Sequence, residues 1–158
     1  MARIAEKRWE ESKVAFEKSL SLDGTDPNTF VQLAILGKRD QQDDSVVEAH
    51  LRSAVSLEPE HPLANWLLAE LLTPTVPSKA VVLLEIAVQN EHPMRPLMFV
   101  ALAKANAGAK DWNAAIAAID KAVEEADASG NAALIQQVRS FQGSVRATYI
   151  KRSKDEGS

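Results

Sequence analysis

Large and small apolar residues recur along this chain at helical spacing, and the pattern itself repeats. A small residue returns at Ser19, Ala54, Ala87 and Ala122, in steps of 35, 33 and 35. Three residues ahead of each stands a large apolar one: Phe16, Leu51, Leu84 and Ile119. A second series lies between them. Leu33-Ala34, Leu68-Ala69 and Leu102-Ala103 follow in steps of 35 and 34, with Phe30 and Phe99 four residues ahead of two of the alanines. Spacings of three and four put such side chains on one helical face. Turns keep the same beat: LDGTDP at 22–27, LEPEHP at 57–62 and QNEHP at 89–93. A fixed period of this length predicts helix pairs stacked as repeats.

Antiparallel helices approach closely only where one offers a small side chain and its partner a large one. A single pair cannot bury its own apolar faces, so neighbouring pairs must stack. The expected fold class is therefore all-α, in one domain over residues 1–152. Residues 3–22 read as an N-terminal helix with Ile4, Trp9, Val14, Phe16, Leu20 and Leu22 broadly along one side. A repeat over 27–58 follows: Asp26 caps and Pro27 opens a helix to about Leu36, Gly37 begins the loop, and Ser45 caps a second helix to Leu57. In the repeat over 62–90, Pro62 opens a helix that ends before Pro74, and Pro77 restarts its partner. A third pair occupies 95–126.

After Ser129-Gly130 a longer helix is expected over 131–152. Ile135, Val138, Phe141 (or Gln142), Val145 and Tyr149 form its apolar stripe, opposite Gln136, Gln137, Arg139, Gln142 and Arg146. It reads as a capping helix over an otherwise wet repeat face, with a disordered tail at 153–158. The first helix matches the second half of a pair with no first half before it. Either a lone helix covers that end, or the chain is cut from a longer array.

A large residue ahead of a small one, a period near 34 and a turn proline together resemble the tetratricopeptide repeat. The matching first-helix residues are Phe30, Leu33 and Ala34; Leu68 and Ala69; Phe99, Leu102 and Ala103. In second helices they are Phe16 and Ser19; Leu51 and Ala54; Ala80, Leu84 and Ala87; Ala115, Ile119 and Ala122. Pro59 takes the place of the family's turn proline, and Trp9 and Trp112 that of its aromatic at the start of the second helix. The chain departs from the pattern at Gly24, which replaces a turn proline, and at Asn65, which stands where a large aromatic belongs beside Trp66. The resemblance implies a right-handed α-solenoid whose concave face, lined by the first helices, holds a peptide or a helix of another protein.

Taking Ala34, Ala69 and Ala103 as facing the neighbouring helix assigns nine residues to that groove: Val31, Ile35 and Lys38; Leu63, Trp66 and Glu70; Leu97, Val100 and Lys104. Val31 and Val100 read equally well as core between repeats, and Trp66 could instead turn inward to replace the large residue missing at Asn65. Some family members clamp acidic chaperone tails with Lys, Asn and Arg in this groove. Val31, Ile35, Leu67, Leu97 and Ala101 occupy those places here, so an amphipathic segment is the expected partner rather than an acidic tail. Self-association through the N-terminal helix, or service as an auxiliary domain excised from a larger protein, is the alternative.

Composition narrows the chemistry. The chain has 158 residues, 46% hydrophobic and 25% charged, which is globular usage. Its net charge of −4 argues against nucleic-acid binding, and its apolar runs are too short to span a membrane. With no cysteine there is no disulfide or thiolate chemistry. His61 and His92 lie in Glu-His-Pro turns one repeat apart, too far to share a zinc ion, and His50 lies within a helix. Adjacent carboxylates (Glu10-Glu11, Asp43-Asp44, Glu124-Glu125) diverge by about 100° on a helix and cannot pair across a substrate. No phosphate loop or strained-turn nucleophile is present. The expectation is no enzyme, no metal and no cofactor; the compartment is not legible.

Overall fold

A computed structural model describes residues 25–155, together with Glu11, Val14, Ala15 and Lys18. Most of the expected N-terminal helix, with Trp9, Phe16 and Ser19, lies outside the described residues, as does the end of the tail. Among the described residues there are seven helices and no strand: α1 (Pro27–Arg39), α2 (Asp44–Leu57), α3 (Pro62–Leu72), α4 (Pro77–Ala87), α5 (Arg95–Gly108), α6 (Trp112–Ser129) and α7 (Ala132–Asp155). The chain forms two compact units, Met1–Leu68 and Ala69–Ser158, divided within α3.

In the first unit α1 packs on α2. Val31, Ala54 and Ala64 form its core, with Phe30, Ile35, Val55, Leu63 and Leu67 packed against them. In the second unit α4 packs on α5, α5 on α6, and α7 on α6, with α7 also reaching α5. Pro77 of α4 abuts the end of α5, where a Cβ on Gly108 would come 3.1 Å from the proline ring.

The repeat positions behave as their chemistry demands. Ala34, Ala54, Ala69, Ala80, Ala87, Ala103, Ala115 and Ala122 are each at most 1% exposed, and so are Leu51, Leu84 and Ile119. Bulk and absence of bulk are sealed together, which is how close-packed interiors are built.

Helix starts follow local hydrogen bonding. Asp26 accepts the Asn28 N–H at 3.0 Å and the Thr29 hydroxyl at 2.9 Å, ahead of Pro27. The Thr29 hydroxyl, then the Asn28 N–H, hold its carboxyl below the ordinary value of 3.8. A depressed carboxyl adds stability that is complete above its ordinary titration and is lost as the pH falls through the lowered value. Acid unfolding of Asp26→Asn, which keeps a neutral cap, should therefore be less steep below about pH 4 than that of the parent chain. Circular dichroism across a pH series reads this; superimposable acid limbs would contradict it. Asp111 caps α6 through the Ala114 N–H at 3.0 Å, and Asn131 caps α7 through the Leu134 N–H at 3.2 Å.

Two expected boundaries moved. The helix expected to stop at Leu36 continues to Arg39, with Gly37 buried inside it. A Cβ there would meet Val47 Cγ2 at 3.3 Å and Gln42 Oε1 at 2.8 Å, so this glycine serves close approach to α2 rather than a turn. Ser45 caps nothing; α2 begins at Asp44, and Asp43 precedes it without a side-chain bond.

The turns after α1 and α5 place non-glycine residues in the left-handed region, Gln41 at φ 55° and Lys110 at φ 68°. Each closes a Schellman-type end, in which the Gln42 N–H meets Gly37 O and the Asp111 N–H meets Asn106 O, both at 2.9 Å. A side chain there crowds the following carbonyl, and glycine does not. Both side chains are exposed, so Gln41→Gly and Lys110→Gly should each stabilise by about 0.5–1 kcal/mol in urea unfolding. A loss of stability at both would refute the strain.

Candidate partner-binding surface

The nine expected groove residues fall into three kinds. Val31 and Val100 are 1% and 3% exposed, and Val31 belongs to the first unit's core, so neither offers surface to a partner. Both match the inter-helix packing that the sequence left open for them. Ile35, Leu63, Trp66 and Leu97 are half-buried, while Lys38, Glu70 and Lys104 are exposed.

In the first unit, Ile35 and Leu63 lean on the Val31–Ala54–Ala64 cluster and keep part of their surface open. Trp66 sits one turn beyond Leu63 on α3. Its indole Nε1 is buried and has no hydrogen-bond partner, so the part of the ring left to solvent is apolar. The neighbouring Asn65 explains the departure from the repeat pattern. It is 0% exposed, and its Nδ2 donates to Pro59 O at 2.8 Å and His61 O at 3.0 Å. The amide fills the place of a large aromatic by tying down the turn, leaving Trp66 free of that role.

His61 belongs to the same turn. Its Nδ1 accepts the Ala64 N–H at 3.2 Å, and its Nε2 lies 3.1 Å from Asn28 Oδ1. Both bonds are made by the neutral tautomer carrying its proton on Nε2. The imidazole thus caps α3 and ties it to the start of α1, as a satisfied buried polar group rather than a ligand. In the corresponding turn before α5, His92 Nδ1 accepts the Met94 N–H at 3.0 Å, two residues on rather than three. Among the described residues no cluster of three His, Asp or Glu could hold a metal ion.

In the second unit Lys104 is already engaged: its Nζ lies 4.2 Å above the centre of the Phe141 ring of α7. Arg95, at the start of α5, forms a two-pronged ion pair with Glu125 in which both side chains are largely buried. Its Nε and Nη2 grip the two Glu125 oxygens at 2.8 and 2.7 Å, and Nη1 reaches Glu91 at 2.7 Å. The hydrogen bonds to the Glu125 carboxylate are the main cause raising the guanidinium above its ordinary value. Nothing in the sequence flags either contact, because the partners lie 37 and 30 residues apart, off the repeat period. No helix among the described residues is long and apolar enough to cross a membrane.

No family model matches the chain, and no curated protein matches it in sequence. Solved structures do. MamA is 14% identical with a TM-score of 0.64, covering 97% of this chain and 95% of its own. PilF of Pseudomonas aeruginosa is 14% identical with a TM-score of 0.66, covering 91% and 72%. A MamA RS-1 double mutant is 16% identical with a TM-score of 0.65, covering 93% and 91%. MamA and PilF are tetratricopeptide-repeat proteins, and at these identities the likeness is one of fold. The chain has the all-α helix-pair repeat fold of that class.

Proposed function

We propose that this chain is a non-catalytic interaction scaffold that receives a peptide or helix of another protein on its first helices. The receiving side chains are Ile35, Lys38, Leu63 and Trp66 of the first unit. The repeat fold, shared with known tetratricopeptide proteins, supports a protein-interaction role in general. The observation that carries the finer reading is Trp66. A large aromatic with its polar edge turned inward and apolar surface left open is suited to burial under an amphipathic segment.

Binding-centre tryptophans typically dominate interface energy, so Trp66→Ala should weaken a captured partner about tenfold or more. The helical spectrum and urea midpoint should stay near those of the parent chain, since Trp66 is only half-buried. Unchanged affinity in a folded variant would remove Trp66 from the surface and, with it, this reading of the site.

A further inference from the structure

α7 lies antiparallel on α6, in a register set by charge. Arg139 Nη2 donates to both Asp127 oxygens, at 3.1 and 3.0 Å. Two turns further, Arg146 Nη2 donates to both Asp120 oxygens at 2.7 and 2.9 Å, and Gln142 Nε2 adds a bond of 2.7 Å. At the far end the Arg152 guanidinium lies 5.4 Å from the centre of the Trp112 ring. Apolar anchorage is thin. Val138 is the one fully buried residue described on this 24-residue helix; Ile135, Phe141, Val145 and Tyr149 are half-buried. Exposed ion pairs select register while adding little stability.

The face of α6 that holds these partners runs through Trp112, Ile116, Asp120, Val123 and Asp127, at helical spacing of three and four. The reversal between the two helices rests on Gly130, at φ 66° with open space where a Cβ would stand, flanked by exposed Ser129 and Asn131. With Gly130 in the right-handed region, α6 and α7 would run on as one helix. Every α6–α7 contact could then be remade between two copies, with only the hinge altered.

We propose that α7 is an exchangeable helix, and that the Trp112–Asp127 face of α6 accepts α7 from a second copy of this chain. Charge selects this occupant: Asp120 and Asp127 match Arg146 and Arg139 at equal separation in opposite directions along the chain. A helix lacking that pattern would leave both carboxylates unpaired.

The chain has no cysteine, so single thiols can be placed at will. Asp127→Cys and Arg139→Cys copies, mixed at high concentration and treated with a short bismaleimide spanning the lost arginine side chain, should yield a cross-linked heterodimer. A control mixture of Asp127→Cys with Lys79→Cys, exposed on α4, should not. Gly130→Ala, which disfavours the left-handed hinge by roughly fivefold per copy, should raise the dimer association constant about 25-fold in light scattering. A persistent monomer in Gly130→Ala, or a dimer that cross-links no better than the control, would overturn the proposal. Should Gly130→Ala fail to fold, the mixed thiol variants with the native hinge decide the matter alone.

Discussion

Ile119→Ala is expected to lower the free energy of unfolding by roughly 2–5 kcal/mol, among the largest effects of any single truncation in the chain. Ile119 is 0% exposed on α6, among alanines at 115, 118 and 122 that are themselves buried. Alanines cannot move in to fill the space of a lost side chain, so the deletion leaves a cavity on top of the lost burial. Ile116, one turn earlier on the same helix and half-buried, supplies the internal control. Its truncation should cost well under half as much, because less surface leaves water and the site stays open to it. Urea unfolding followed by circular dichroism measures both. Equal small losses would mean that the repeat positions are not where the packing is tightest. The reciprocal change, Ala122→Leu, puts bulk where none fits and should destabilise by about 1–3 kcal/mol.

Breaking the Arg95–Glu125 fork should be the second large effect. The two side chains are 19% and 14% exposed, so the bidentate pair is much less screened than the pairs on α7. Arg95→Ala leaves the Glu125 carboxylate in a poorly hydrated place without its donors, at a cost of about 1.5–3 kcal/mol. Arg95→Lys keeps the charge but not the planar fork and should recover only part of the loss. Glu91, 89% exposed, is the counter-example: Glu91→Ala should change stability by no more than about 0.5 kcal/mol. A double-mutant cycle on Arg95 and Glu125 isolates the coupling. A coupling near zero would show that the short distances carry no energy.

These two cases mark the boundary of what was legible beforehand. Ile119 stood out in the sequence because a bulky residue three ahead of a small one recurs every repeat, and packing between helix pairs demands that pairing wherever they stack. Asp26 was legible too, since a cap bonds to the next two or three residues and needs no distant partner. Arg95 was not. Its partner sits on another helix at a separation the repeat does not set, and Glu125 looked like one more solvated acid in an acidic run. The same holds for Lys104, expected to face a partner and found over Phe141. The left-handed turns at Gln41 and Lys110 gave no warning because glycine, the usual marker, is absent from both.

The burial of the nine expected groove residues divides for one physical reason. Successive residues on a helix turn through about 100°, so an error of half a residue in setting each helix's rotation exchanges core for surface. Val31 and Val100 fell on the buried side of that margin, and Ile35, Leu63, Trp66 and Leu97 on its edge. Asn65 decided how Trp66 stands by occupying the inward place with hydrogen bonds that no periodicity announces.

By itself the sequence determined the all-α class, the period and several helix caps, because each depends on contacts between near neighbours or on a spacing that repeats. Only the tertiary structure decided which charges pair, which valines are sealed, and which face of α6 carries α7. Those outcomes depend on distances between residues 12 to 37 apart, set by how each helix is rotated against the next.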